Sequence, residues 1–236
     1  SNKMIMKKVT LFIFFLFFCL MLSAQSGYIK VSGGKVIEGE FFKSKIYLLK
    51  NFTDARIKFL NGDTYDGKIN IHILSQTLRF IGPKGDTLAV ADEKHIGSVS
   101  SGKLFFLKVN NQYVQVVNSD GETSLVVART LNIGQEKVTG AYGGTNEVSS
   151  IQKIEVYNDN NKIERITSSA TLYYEYRETL FLVNHGKQYL VTRRNLQKFF
   201  PDKKEFIEEY YSTHNVQIDK KEEIVSLFST ILSVSR

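Results

Sequence analysis

The stretch that decides the fold lies at residues 56–73 and reads RIKFLNGDTYDGKINIHI. Asn61-Gly62 in its middle is the dipeptide most typical of a two-residue type I′ turn, which needs a positive φ at both central positions. On the return side, three isoleucines alternate with polar residues, which is the period of a strand with one buried face. The stretch therefore predicts an antiparallel hairpin.

Similar patterns surround this hairpin on both sides. Residues 77–91 read as two strands around Pro83-Lys84-Gly85-Asp86, and residues 104–118 as two strands around Asn110-Asn111. Proline presets φ and glycine accepts the left-handed conformation, so such turns have a physical basis. From Tyr28 to Thr192 the pattern predicts about nine to eleven strands joined mainly by short turns.

After residue 192 the apolar period changes from two to 3.6, which predicts helices. A helix at Asn195–Phe200 is expected to stop at Pro201, and Asp202 with Glu205 has the spacing of a capping box that opens the next helix. The last helix carries an apolar stripe formed by Ile224, Leu227, Phe228 and Ile231. Such a stripe is typical of a helix face that packs on a core.

Strands followed by helices favour an α+β fold. We predict an antiparallel β-meander, either a curved sheet or a partly open barrel, with a C-terminal cap of about two or three helices. The predicted organisation is a signal peptide at 1–24, a β-rich domain at 25–192 and a helical cap at 193–236 packed on the sheet. Within the β-rich domain, the glycine-rich residues 131–150 are expected to form a long surface loop.

The N-terminal segment has the layout of a secretory signal peptide. Residues 9–24 read VTLFIFFLFFCLMLSA and follow Lys7-Lys8. The apolar run is shorter than the roughly 20 residues that a membrane-spanning helix needs, although a retained anchor is the alternative. We expect cleavage near Ala24-Gln25, a location in the periplasm, in the cell envelope or outside the cell, and no integral membrane span after cleavage.

Composition excludes several classes of function. The chain has 236 residues, 42% hydrophobic and 23% charged, which is typical of a folded protein. The formal net charge of +7 falls to +4 when the three lysines of the leader are removed. The leader also holds all three methionines and Cys19, so the remainder lacks sulfur. This excludes thiolate nucleophiles, zinc–thiolate and iron–sulfur sites from the mature chain.

The basic doublets Arg193-Arg194 and Lys203-Lys204 raise the possibility of a phosphate-binding patch. Three glutamates follow the second doublet between residues 205 and 209, whereas a phosphate track needs net positive charge. We therefore predict a solvated helix face and no nucleic-acid partner.

The sequence lacks the phosphate-loop, dinucleotide, nucleophile-elbow and HExxH motifs. This favours a protein without enzymatic activity and without a cofactor. Four histidines lie far apart in the chain; a metal site from His72, His95 and Asp92 is conceivable, but histidines satisfied by water are the favoured interpretation. The aspartates at 63, 66 and 86 fit turns better than a calcium loop.

Tyrosine is the one enrichment that points to binding. Tyr173, Tyr174 and Tyr176 crowd one predicted strand, where the last two share a face, and Tyr142 lies in the glycine-rich loop. Aromatic side chains recognise sugars and partner proteins. We select these four tyrosines as candidate binding residues, although strand propensity and packing at the rim of the core also explain them.

Two resemblances add to this interpretation. Leu22-Ser23-Ala24-Gln25 and the tail around Phe199–Lys204 resemble those of uncharacterised exported proteins of Gram-negative bacteria, which implies export but no activity. The stretch at 56–69 is similar to the first hairpin of small SH3-like or Sm-like barrels.

The function that we expect is that of an exported, non-enzymatic binding or structural module of the periplasm or cell envelope, whose partner is a protein or an envelope component. An alternative is a carrier that holds a small apolar or aromatic ligand between the sheet and the C-terminal helices. A further alternative is a hydrolase with a site near the loop at 131–150.

Overall fold

The computed structural model describes residues 25–33, 35–134, 170–214 and 220–233. The predicted signal peptide, most of the predicted loop at 131–150, Tyr142 and a strand predicted at residues 151–157 lie outside these ranges.

Twelve strands form one antiparallel sheet within the described residues. They are β1 (Gln25–Ser32), β2 (Lys35–Glu38), β3 (Thr53–Phe59), β4 (Thr64–His72), β5 (Thr77–Ile81), β6 (Thr87–Ala89), β7 (Ile96–Ser101), β8 (Leu104–Val109), β9 (Gln112–Ser119), β10 (Thr123–Gly134), β11 (Ala170–Asn184) and β12 (Lys187–Leu190). The order across the sheet is β2-β1-β11-β10-β9-β8-β7-β3-β4-β5-β6, and β12 pairs with the last residues of β11. Strands β3 to β6 and β7 to β12 are meanders, which the β3–β7 pairing joins.

Four helices accompany the sheet in the described residues. They are α1 (Glu40–Lys45), α2 (Arg193–Phe199), α3 (Lys204–Thr213) and α4 (Lys221–Ser233), with short 3-10 turns at Glu93–His95 and Pro201–Lys203. The predicted fold class, an antiparallel meander with a C-terminal helical cap, is confirmed. No helix of the described chain has the length and apolarity needed to cross a bilayer.

The predicted hairpins form, but the turns differ in detail. At the β3–β4 turn only Gly62 has positive φ, and Asn61 instead accepts the Asp63 backbone N–H through its side chain. The turn is therefore not type I′. Positive φ at both positions occurs in the two-residue turns Asn110-Asn111 and His185-Gly186. Their short loops require this conformation because its twist matches that of the strands.

Several helices and strands differ from the prediction. Helix α1 was not predicted. Asp202 does not cap α3; it lies in the preceding 3-10 turn, whereas Thr192 caps α2 by accepting the Asn195 backbone N–H at 3.2 Å. The strands predicted at 172–176 and 180–183 are one 15-residue strand, β11, and β10 extends through Gly134 into the predicted loop.

The C-terminal helices pack on one face of β10 and β11. Buried side chains of the sheet and of α2 to α4 form one cluster, including Leu125, Leu182, Leu196, Leu227 and Phe228. The predicted stripe on α4 faces this cluster, and its four residues are at most 1% exposed. Asn118 of β9 also donates to Ser229 of α4 at 3.1 Å.

The other end of the same sheet face packs against α1. Phe42 of α1 is fully buried in a second cluster with residues of β1, β10 and β11, including Ile29, Leu131, Ile133 and Leu172. A third cluster, with Ile57, Ile71 and Phe106 among its members, fills the concave side of β3 to β9. Helix α1 and the C-terminal helices thus cover different parts of β10 and β11.

The sheet curves strongly, and polar side chains hold the curvature. Gln76 in the β4–β5 turn donates to the Arg129 carbonyl at 3.0 Å and accepts the Tyr113 backbone N–H at 3.1 Å. Glu93 accepts hydrogen bonds from the Leu78 backbone, Lys108 and Tyr113, which lie on three different strands. The β4–β5 hairpin is therefore fastened across the concave side to β9 and β10.

Candidate functional site

The shared face of β10 and β11 is apolar at both ends and charged in the middle. Its inward residues are Leu125, Val127, Arg129, Leu131 and Ile133 on β10, and Leu182, Leu180, Glu178, Tyr176 and Tyr174 opposite them on β11. Arg129 and Glu178 are direct cross-strand neighbours, with Nε 2.9 Å from Oε1. This ion pair separates the cluster under the C-terminal helices from the cluster under α1.

Glu178 accepts three hydrogen bonds, two of them from cations. Arg129 and the Tyr176 hydroxyl donate to Oε1, and Lys221 at the start of α4 donates to Oε2 at 2.8 Å. Burial acts to raise the pKa of Glu178, but the hydrogen bond from Lys221, the charge of Arg129 and the hydrogen bond from Tyr176 outweigh it and lower the pKa to about 2. Glu178 is therefore ionised at neutral pH.

Tyr176 stays neutral at the same place. Burial raises the pKa of its hydroxyl well above the usual value, and the hydrogen bond to Glu178 adds to this effect. The hydroxyl therefore serves as a hydrogen-bond donor to Glu178 over the physiological pH range.

A cleft of about 280 Å³ opens beside this ion pair, between the sheet and the segment that follows α1. The apolar residues of its lining include Tyr47, Leu48, Leu49, Leu104 and Phe106. Its polar residues include Lys45, Gln115, Arg129, Tyr176 and Glu178. Polar groups thus make up a large share of the lining, and in small-molecule sites such groups fix the orientation of the ligand.

The segment at 46–49, which covers the cleft, is held by hydrogen bonds to β4. The Leu48 backbone donates to the Ile71 carbonyl at 2.9 Å, and the Ile73 backbone donates to the Ile46 carbonyl at 2.7 Å. The side chain of buried Asn70 accepts the Leu49 N–H and donates to the Leu49 carbonyl. The segment that borders the cleft is therefore anchored to β4 and to Ile73 directly after it.

Lys45 extends the positive charge along the cleft. Its Nζ lies 5.0 Å from the ring centre of Tyr176 and 5.4 Å from that of Phe41. These are cation–π distances. Within the described chain, Lys45 forms no salt bridge to a carboxylate. Its charge is thus held near the cleft by aromatic rings rather than neutralised.

The predicted tyrosines fall into different environments. Tyr174 and Tyr176 share a face, but it is the core face, and each is 7% exposed. Tyr173 points to the opposite side, where its ring meets Tyr28 edge-on at 5.7 Å. Tyr176 is the member of the set that lines the cleft. Tyr142 lies outside the described residues.

The histidine candidates are not brought together by any metal-binding cluster of the described residues. His95 is exposed and pairs with Asp92 in the 3-10 turn. His72 is buried, and its Nδ1 accepts the Ser75 backbone N–H and lies 2.7 Å from the Ser75 hydroxyl. Burial, with a smaller effect of the Arg79 charge, lowers the pKa of His72 to about 4. His72 and Ser75 thus stabilise the β4–β5 turn, and neither lines the cleft.

The aspartates and basic doublets lie in ion pairs and turns. Asp66 pairs with Arg56 across the β3–β4 hairpin through two hydrogen bonds, and Asn61 donates to Asp63. Arg193 pairs with Glu208 at 2.8 Å, which ties α2 to α3.

Sequence reasoning missed Lys45, Gln115, Arg129 and Glu178. A signal for two of them exists: Arg129 and Glu178 each interrupt an otherwise apolar alternation on a long strand. A charged residue at an inward strand position needs a partner or a ligand. The predicted break between residues 176 and 180 hides this interruption, because it divides β11 into two shorter strands. Lys45 had no such signal because α1 was not predicted.

The C-terminal helices contribute no residue to the lining of this cleft. The alternative ligand position, between the sheet and the C-terminal helices, is occupied by Ile224, Leu227, Phe228 and their neighbours, which pack directly on β10 and β11. The described cleft lies on the opposite side of the Arg129–Glu178 pair.

Comparisons of this chain with protein-family models, curated proteins and solved structures found no match.

Proposed function

We propose that this protein is a non-enzymatic binding module of the bacterial cell envelope, and that the cleft beside Arg129 and Glu178 is its ligand site. The observation that carries the proposal is that Lys45, Gln115 and Arg129 line one cleft together with apolar side chains from both the sheet and the segment that follows α1. Arg129 and Glu178 lie between two apolar clusters, where partial removal of charges from water costs free energy that their hydrogen bonds offset.

We infer that these charged groups serve to recognise a ligand. Hydrogen bonds between the polar groups around the cleft hold these groups in fixed positions. For example, Gln115 accepts a hydrogen bond from Arg129 Nη1 at 2.9 Å. A site whose donors are already oriented loses less entropy when a ligand binds. The proposed place in the envelope rests on the leader-like residues 1–24, which precede the folded strands.

Native mass spectrometry of the full chain, expressed in a Gram-negative host and recovered from the periplasm, tests the proposal. Its N-terminus should begin near Gln25, and a small molecule should accompany the protein. Leu104→Trp should fill the cleft and remove that mass. Phe105→Trp is the matched control, because Phe105 is the next residue of β8, points to the other face and is 42% exposed.

Three results would contradict the proposal. Equal ligand occupancy in both tryptophan variants would place the ligand elsewhere. A wild-type protein that carries no ligand and is stabilised by no member of a small-molecule set would leave the cleft without a binding role. Recovery of intact residues 1–24 in membranes would contradict the proposed location.

A further inference from the structure

The charges around the cleft do not balance. Glu178 is its one carboxylate, and that carboxylate already accepts hydrogen bonds from Arg129 and Lys221. Of the three cations, Arg129 and Lys45 line the cleft, whereas Lys221 does not. With two cations and one carboxylate in its lining, the cleft carries an excess of one positive charge, and an anion in the cleft is attracted most strongly where water is partly excluded.

Two cationic side chains in the lining can attract such an anion. Arg129 donates Nε to Glu178 and Nη1 to Gln115, and its side chain also hydrogen-bonds to Tyr176, so its charge is held in place beside the cleft. The Lys45 Nζ contacts ring faces rather than a carboxylate. The excess of one positive charge matches a single carboxylate, whereas a phosphate dianion carries more negative charge than this excess balances.

The volume of the cleft and its apolar lining residues restrict the part of the ligand that lies outside its anionic group. A volume of about 280 Å³ corresponds to roughly nine water molecules at about 30 Å³ each. This is at or below the lower end of sites for drug-sized molecules. Tyr47, Leu48 and Leu104 are partly exposed and offer apolar surface, which suits one ring or a short hydrocarbon chain.

From these observations we infer that the cleft binds a small monocarboxylate with an apolar body, its carboxylate held by Lys45 and Arg129. This inference rests on the proposed function and specifies the chemical class of its ligand.

Titration of the ¹⁵N-labelled mature protein by NMR tests this class with three probes of similar shape, namely benzoate, benzyl alcohol and benzylammonium. Benzoate should bind saturably, at least about tenfold tighter than the other two, and should shift resonances of the segment at 46–49. Lys45→Gln should weaken benzoate binding about tenfold, as expected for the loss of one charge-assisted hydrogen bond, and leave benzyl alcohol unchanged. Lys45→Arg should restore benzoate binding.

Lys43→Gln is the matched control, because Lys43 lies on the same helix and pairs with Glu40 at 2.8 Å. It should leave all three affinities unchanged. Circular dichroism of each variant verifies folding.

The outcomes separate the inference from the function on which it rests. Equal binding of the three probes, or a Lys45→Gln variant that binds benzoate like the wild type, would overturn the carboxylate class while keeping the cleft as a ligand site. Absence of benzoate binding at millimolar concentration would also overturn the inference. Loss of the co-purified mass only in Leu104→Trp would still support the proposed function.

Discussion

At the scale of single residues, Glu178 shows how a partly exposed carboxylate is retained at an inward position of a strand. It is about 30% exposed, and three donors surround it, so the cost of burial is offset by hydrogen bonds and by two cations. A shift in the register of β10 and β11 would separate Arg129 from Glu178 and leave each charge uncompensated. The pair therefore favours the observed register. The positive excess that remains is available to a ligand.

The lowered pKa of Glu178 predicts a specific pH dependence of stability. Its folded pKa is about 2 and its ordinary value is 4.5. The ionised group therefore stabilises the fold above about pH 4.5, and this contribution is lost as the pH falls toward 2. Between pH 6 and pH 3, the wild type should lose about 1–2 kcal/mol more free energy of unfolding than Glu178→Gln. Urea titrations at each pH measure the difference, and parallel losses in the two proteins would contradict the assignment.

At the scale of elements, α1 is the short helix that positions the cleft. It begins after Gly39, whose φ of +132° is accessible to glycine and not to residues with a side chain. A Cβ at this position would lie 2.5 Å from Cγ2 of Ile29. The close approach of this turn to β1 is what places Phe42 in the core and Lys45 over Tyr176.

Gly39→Ala should therefore destabilise the protein by about 2–4 kcal/mol, from backbone strain together with the overlap with Ile29. Gly102→Ala is the control. Gly102 also has positive φ, +57°, but a Cβ there meets nothing within 4 Å, so the cost should be about 1 kcal/mol. Urea denaturation of the two variants compares them directly. Equal losses would mean that the contact of Gly39 with Ile29 does not constrain α1.

At the scale of the whole molecule, β10 and β11 are the common support of both apolar layers. One half of their shared face receives the C-terminal helices, the other half receives α1, and the Arg129–Glu178 pair lies between them. Two strands of 12 and 15 residues connect the layers by continuous hydrogen-bonded pairing. The layers are therefore expected to unfold together rather than as independent units.

Ending the chain at Thr192 should expose the apolar sheet face that the C-terminal helices cover, which includes Leu125, Val127, Leu180 and Leu182. An exposed patch of this kind promotes aggregation. Size-exclusion chromatography should show aggregates for the truncated chain and a single species for a chain ending at Ser233. A truncated protein that elutes as a monomer with an unchanged circular dichroism spectrum would show that the helices are an independent appendage.

The sequence by itself determined the antiparallel sheet, most of its hairpins and the C-terminal helices. Alternation, turn residues and helical period are local signals, and each is decided by a few neighbouring residues. Only the tertiary structure decided that β1 pairs with β11, that Arg129 meets Glu178 across 49 positions of sequence, and that the end of α1 and the segment at 46–49 border the cleft beside this pair. These features depend on strand register and sheet curvature, which arise from packing between distant segments and have no local pattern in the sequence.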